Sequence, residues 1–287
     1  MKQLIRTSVL ICAFSLLFPA MLPAQPAAAP QQAASQASGP VTFAPNENLV
    51  LDNIPPVPMD IVEKARRYRE FRGATLLSWH PTKREVLIST RFGSVNQVHQ
   101  VAMPMGARTQ MTFLADRATG ASYQPKQGKY FIFGHDVGGG EWYQLSRYDL
   151  ATGDITLLTD GKSRNGGGSW THDGGKIAYT STRRNRKDTD IYLMDPADPK
   201  TDKLLMQVEG GGWGPSDWSW DGKQLLVGEY VSANESYIWM VDAATGNKKL
   251  LTPKTGEKVV YGGPEWAHDG KGFYATTDKD GEFQRLA

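Results

Sequence analysis

An aromatic-led turn recurs five times along the chain at a nearly constant interval, and that interval limits the fold more than any other feature of the sequence. The copies are Trp79-His80-Pro81-Thr82-Lys83, Tyr123-Gln124-Pro125-Lys126-Gln127, Trp170-Thr171-His172-Asp173-Gly174, Trp218-Ser219-Trp220-Asp221-Gly222 and Trp266-Ala267-His268-Asp269-Gly270. Successive leading aromatics stand 44, 47, 48 and 48 residues apart. A period in the forties means one supersecondary unit copied along the chain, and it suits a four-stranded propeller blade or a pair of helices. The units are full of Gly, Thr, Tyr, Val and Trp and lack apolar spacing at three and four residues, which speaks against the helical pair.

Within a unit the pieces are short and strand-like. In the third, residues 176–182 are rich in β-favouring side chains, 190–194 alternate polar with apolar, and 203–208 form another short run; the strand entering at Trp170 completes a set of four. Asp-Gly or a close equivalent separates first strand from second, which is hairpin chemistry because the turn needs a positive φ. A second landmark keeps the same period. The third strand ends at Asp149, Asp195 and Asp242, steps of 46 and 47, and the middle copy differs by carrying Pro196 and Pro199 in the following turn region. The expected fold is therefore all-β: a β-propeller of four-stranded blades, about four and a half of them present, preceded by one short helix. The fifth unit shows a second strand at 272–277, a turn at 278–281 and the start of a third strand at 282–286, so the blade is expected to continue beyond Ala287. An open blade leaves apolar faces bare, and poor solubility is expected of this chain alone.

Ahead of the repeat the chain divides into three. Lys2 and Arg6 precede an apolar run at 7–18, too short to span a bilayer, and Leu22-Pro23-Ala24 offers a cleavage site, so 1–24 reads as a signal peptide of an exported, periplasmic or secreted protein. Residues 25–45 begin with a stretch of Ala, Gln, Pro and Ser that cannot bury enough apolar surface to order itself, and read as a tether. Residues 46–73 form a lead with a helix from Asp60 to about Phe71, and 74–287 the partial propeller. Cys12 lies in the signal run, so the exported form has no thiol nucleophile, disulfide or thiolate metal site. Without Lys2 and Arg6 the formal charge falls from +2 to zero, 30 basic residues against 30 acidic, which argues against nucleic acid as a partner. No membrane span is left once the signal is removed.

Chain direction sorts the loops. Antiparallel strands put the loops after strands one and three on one face and those after two and four on the other. The first face collects Asp-Gly and Thr-Gly turns and reads as structural. The second collects 138–141, 166–168, 183–187, 210–214 and 232–235, longer segments where function is expected. Arg183, Arg184, Arg186 and Lys187 are the densest charge cluster; the plain reading is a solvated loop, and the sharper one is that Arg183 or Arg186 pairs with a substrate carboxylate or an acidic patch on a further domain. Glu141 and Glu235 are candidates to meet a peptide amino group, and Trp213, off the repeat and loop-borne, is the best exposed aromatic. His172-Asp173 and His268-Asp269 occupy turn slots held by Pro81-Thr82 and Pro125-Lys126 in sister units, and read as turn residues. The remaining histidines show no i, i+4 pair, and the glycine runs lead into no helix, so neither a metal nor a phosphate-bearing cofactor is expected. The glycine runs read instead as flexible loops between blades.

With the lead Ile54-Pro55-Pro56-Val57-Pro58, the helix that follows it and the blade text Glu229-Tyr230-Val231-Ser232-Ala233-Asn234-Glu235-Ser236-Tyr237 in view, the chain from about Asn46 to Ala287 resembles the amino-terminal propeller of the prolyl oligopeptidase family of serine peptidases. The anchor Trp-Ser-x-Asp-Gly is shared with periplasmic propellers of the TolB type. The resemblance implies a peptide substrate and a C-terminal α/β-hydrolase domain that the propeller shields. No Gly-x-Ser-x-Gly elbow occurs; the nearest, Gly167-Gly168-Ser169-Trp170-Thr171, lacks the last Gly. No catalytic residue is therefore assigned, and the chain alone is expected to be inactive. The alternative reading is a non-catalytic TolB-like propeller that binds protein partners.

Overall fold

The computed structural model describes residues 41–287. The signal peptide expected at 1–24 and most of the tether expected at 25–45 lie outside the described residues. Two compact units divide between Arg69 and Glu70. In the first, helix α1 spans Met59–Arg69, ending two residues short of the expected Phe71, with Asp60 in its first turn and Arg66, Arg67 and Arg69 in its last, as the helix dipole favours. Val41 and Phe43, in the last part of the stretch assigned to the tether, pair with the backbone of Met59 and Val57.

The second unit is a series of antiparallel meanders whose strands neighbour one another in chain order. Blade 1 comprises β1 (Thr75–Trp79), β2 (Val86–Thr90), β3 (Gln97–Val101) and β4 (Thr109–Gln110); blade 2 comprises β5 (Ala118–Tyr123), β6 (Tyr130–His135), β7 (Gln144–Asp149) and β8 (Ile155–Leu157). Blade 3 is β9 (Asn165–Trp170), β10 (Ile177–Ser181), β11 (Asp190–Asp195) and β12 (Asp198–Met206), and blade 4 is β13 (Trp213–Trp218), β14 (Gln224–Ser232), β15 (Glu235–Asp242) and β16 (Lys248–Leu250). Blade 5 has β17 (Tyr261–Trp266), β18 (Phe273–Thr277) and β19 (Arg285–Leu286). The aromatic anchors close the first strands, and the third strands of blades 2, 3 and 4 end at Asp149, Asp195 and Asp242, as the two sequence periods require.

Strand two of each inner blade is apolar on both sides because a blade is sandwiched between two others. Ile177 and Tyr179 pack with Tyr130, Ile132 and Leu145 of blade 2, while Ala178 between them packs with Trp218, Leu225 and Val227 of blade 4. The period-two alternation of a strand thus feeds two separate cores. Phe131 and Phe133 face Leu87 and Val98 of blade 1, and Leu226 faces Ala275 of blade 5, so each core cluster lies between consecutive blades.

The residue before each anchor ties its blade to the next. Ser78 Oγ accepts the Tyr123 amide at 3.1 Å, Ser122 Oγ accepts Trp170 Nε1 at 2.9 Å, the Ser169 carbonyl accepts Trp218 Nε1 at 3.0 Å, and Asp217 Oδ2 accepts the Trp266 amide at 2.7 Å. Every first strand carries a register shift just ahead of this point. In three blades a left-handed glycine sits in it: Gly120, Gly167 and Gly263, at φ 58, 35 and 55. This corrects the reading of 166–168 as a loop. The run is part of β9, where a Cβ at Gly166 would lie 2.9 Å from Thr180 Oγ1, one at Gly168 would press on the Ile177 side chain, and Gly167 between them is left-handed, so strand packing and backbone conformation, not flexibility, favour glycine.

Candidate functional site

The two faces of the blade series differ as strand direction predicts. On one, the strand one–two and three–four turns close on themselves. The Asp173 carboxylate accepts the Thr171 hydroxyl at 2.6 Å and the Gly175 amide at 2.9 Å, and these bonds, the Thr171 one foremost, hold its pKa below the usual carboxylate range. His172 donates from Nε2 to the Trp218 carbonyl at 2.8 Å and stacks on Trp220 at 4.0 Å, with His268 edge-on to the same indole. Neither His-Asp pair contains a nucleophile, and each imidazole serves a contact between blades.

The opposite face is organised by the first residue of the third strands. Gln97 in blade 1 and Gln144 in blade 2 are buried, and each side-chain amide ties down the chain leaving strand four. Gln144 Oε1 accepts Thr159 Oγ1 at 2.7 Å and the Gly161 amide at 2.9 Å, and its Nε2 donates to the Ser163 carbonyl at 2.6 Å. Gln97 makes the matching bonds to Thr112, Leu114 and Asp116. In blade 3 the position holds Asp190, wholly buried, which accepts the Val208 amide at 2.9 Å. A buried carboxylate needs a cation where a glutamine does not. Arg184 supplies it, donating from Nε to Asp190 at 2.6 Å, and from Nη2 to Asp188 at 2.9 Å and to the Val208 carbonyl at 2.9 Å.

These bonds build the loop at 182–189 into a fixed shape. Asp188 also accepts Asn185 Nδ2 at 2.6 Å and the Gly210 amide at 2.7 Å, and its pKa is depressed by those donors, Asn185 first. Arg183 is likewise engaged. It pairs with Asp202 and lies 3.6 Å over the Tyr192 ring, while the Tyr179 hydroxyl donates to the same Asp202 at 2.9 Å. Burial, the largest single influence, pulls the Arg183 pKa down, but the bonds to Asp202 and Tyr192 and the neighbouring negative charge together exceed it and the net shift is upward; Tyr179 is raised too, by burial and then by Asp202. Arg183 and Arg184 thus brace the loop with charges that are already paired, although Arg184 stays partly exposed and lines a separate cleft with Trp213 and Glu229.

Arg186 is what the brace presents. It is exposed, stands at a left-handed φ of 61, and donates its amide to the Thr182 carbonyl at 2.6 Å. With Lys187 it borders a cleft of about 440 Å³ whose other walls include Arg164, Trp142 and the glycines Gly166 and Gly212. Arg164 follows the strand-four loop of blade 2 and was not singled out from sequence; its place ahead of the bulged glycine strand on the long-loop face was the available signal. Glu141, also left-handed at φ 60, donates its amide to Asp136 at 3.0 Å and sets its carboxylate 3.4 Å from Arg164.

Two candidates lie elsewhere. Trp213 begins β13 and is not loop-borne; it is half-buried, donates to the Glu209 carbonyl at 3.2 Å, and meets Trp239 at 5.7 Å with the Lys248 ammonium 4.6 Å from its ring. Glu235 begins β15 and accepts the Tyr237 hydroxyl at 2.6 Å, a bond that pushes Tyr237 up to about 12. Among the described residues no three His, Cys, Asp or Glu side chains gather to hold a metal, and no helix is long and apolar enough to cross a membrane.

No protein-family model and no curated protein sequence matches the chain. Solved structures do. The chain is similar to a prolyl endopeptidase studied for inter-domain dynamics in catalysis and specificity, with a TM-score of 0.62 and 17% identity over 78% of this chain and 36% of that one. It is similar to TolB from Acinetobacter baumannii, with a TM-score of 0.50 and 19% identity over 75% of this chain and 49% of that one. An oligogalacturonate lyase from Vibrio parahaemolyticus matches at 0.56 and 12% over 74% and 62%. The fold is that of such propellers. The chain spans about a third of the length of the endopeptidase and about half that of TolB.

Proposed function

We propose that this chain is the propeller part of an exported serine peptidase of the prolyl oligopeptidase type, and that its long-loop face positions and gates peptides for a hydrolase domain lying beyond Ala287. The observation that carries the reading is the division of labour between the faces: one is closed by self-satisfied turns, while the other holds a braced loop whose Arg186 and Lys187 border an open cleft. The likeness in fold to a prolyl endopeptidase and the resemblance of the 54–71 and 229–237 segments support the same assignment. Chemistry would reside in the further domain, with this face setting which peptides reach it.

The test is the coding sequence after codon 287 together with an assay of its product. A Gly-x-Ser-x-Gly elbow and cleavage of peptidyl nitroanilides, lost on substituting that Ser, is the expected result. A stop codon after the last blade, with a product that captures envelope proteins and cleaves nothing, would establish the second reading, a TolB-like binding propeller. That reading draws on the TolB likeness in fold.

A further inference from the structure

We propose that the cleft bordered by Arg186, Lys187, Arg164 and Trp142 is a carboxylate-binding site that selects acidic peptides. This rests on the peptide-handling reading above and names the substrate class it leaves open. The cleft's lining residues include three cations and not one carboxylate. The remaining polar groups that line it, on Asn165, Thr180, Thr182 and Thr189, are neutral. Like charges round one cavity repel, and the carboxylate nearest to them, Glu141 beside Arg164, stands outside the lining and is largely exposed.

The loop's construction separates these cations from ordinary surface charges. Arg183 and Arg184 are consumed by Asp202, Asp188 and Asp190, so the charges that hold the loop and the charges it displays are different residues. The display residue, Arg186, sits in a left-handed conformation that side-chain-bearing residues keep only where the surroundings over-determine it. The backbone bond to Thr182 fixes where the Arg186 side chain leaves the loop, and its guanidinium, a planar fork of donors, matches a carboxylate in two parallel bonds. Trp142, 45% exposed, adds an apolar wall, which suits a carboxylate carried on a peptide better than a bare inorganic ion. Glu141, 3.4 Å from Arg164 with both side chains largely exposed, is a weakly held resident carboxylate that an incoming one displaces.

The experiment is calorimetric titration of the full-length gene product, with the Ser of any Gly-x-Ser-x-Gly elbow replaced by Ala, with four probes: acetyl-Ala-Ala-Glu-amide, acetyl-Ala-Ala-Ala with a free carboxylate, neutral acetyl-Ala-Ala-Gln-amide, and sodium phosphate. At least one acidic peptide is expected to bind, with affinity falling as salt rises, and the neutral peptide to give no heat; which acidic peptide binds assigns the carboxylate to a side chain or to the chain terminus. Arg186→Gln is expected to weaken that binding about tenfold or more, one charge-assisted bond's worth. Glu141→Gln should tighten it a few-fold, on the order of a surface ion pair, and Lys223→Gln, on the opposite face, should leave it unchanged. Equal binding of the neutral peptide, full affinity in Arg186→Gln with an unaltered circular dichroism spectrum, or phosphate binding as tightly as the peptides would each overturn the proposal. These outcomes are separable from the peptidase reading: a gene product without a hydrolase domain ends that reading while leaving acid binding intact, and a peptidase indifferent to acidic peptides ends only the site.

Discussion

Replacing the same anchor in two blades tests whether the cores between blades hold this fold together. Trp218 is 0% exposed, packed between Ala178, Ile191 and Leu193 on one side and Leu225 and Val227 on its own blade, with its Nε1 bonded to Ser169. Trp79, the corresponding residue of blade 1, is 67% exposed. A Trp buries up to roughly 250 Å² at about 25 cal/mol per Å², an upper bound near 6 kcal/mol, and large-to-small series place Trp→Ala at about 3–5 kcal/mol. With a third of its surface covered, Trp79→Ala is expected to lose about 1–1.5 kcal/mol by the same area scaling. For a domain of this size about 2–4 °C accompany each kcal/mol. Thermal melts followed by far-UV circular dichroism should therefore show Trp218→Ala melting roughly 6–20 °C below the parent and Trp79→Ala roughly 2–6 °C below. Equal losses would mean that the anchor serves its own blade and that burial between blades is not what it contributes.

Other expectations follow from single contacts. Trp218→Phe removes a bonded indole N–H and should destabilise by about 1 kcal/mol, whereas Trp266→Phe should be neutral or stabilising, because Trp266 Nε1 is buried without a partner among the described residues; paired urea melts decide it. Gly174→Ala should be far more damaging than Gly222→Ala. Both glycines are left-handed, at φ 72 and 67, but a Cβ at Gly174 would run into the Pro125 carbonyl and one at Gly222 meets open space. The Asp173 pKa is lowered on folding, so its contribution is present above the unfolded carboxylate value of about 3.9 and disappears as pH falls through the folded value. Asp173→Asn should accordingly be less stable than the parent at neutral pH and converge with it as pH falls through the folded value in a pH series of melts.

The sequence period located the blades well because anchors and strand-ending aspartates obey local rules: a turn needs its glycine and a third strand its terminal carboxylate. Strand ends were legible to within a few residues, except β12, which starts at Asp198 although residues 203–208 were expected, since Pro199 is tolerated on an outer strand. The glycine run at 166–168 was misread because the need for glycine comes from Thr180 and Ile177 on the paired strand, which no local pattern displays. Trp213 opens β13 although glycines flank it on both sides, because its pairing with Glu229 on β14, which no local pattern displays, extends the strand to it. The sites were half legible. Composition exposed the Arg183–Lys187 cluster, but only the register of β11 and β12 brings Asp190 and Asp202 to Arg184 and Arg183, leaving Arg186 as the residue on display.

Hydrogen–deuterium exchange of the full-length gene product with and without saturating acidic peptide, read over residues 41–287, tests the central claim, that one face works and the other only closes the blades. Added protection at 138–142, 163–167, 182–189 and 210–213, with no change at the turns 172–175, 220–223 and 268–271, is the predicted result. Protection confined to those turns, or spread evenly over both faces, would contradict it.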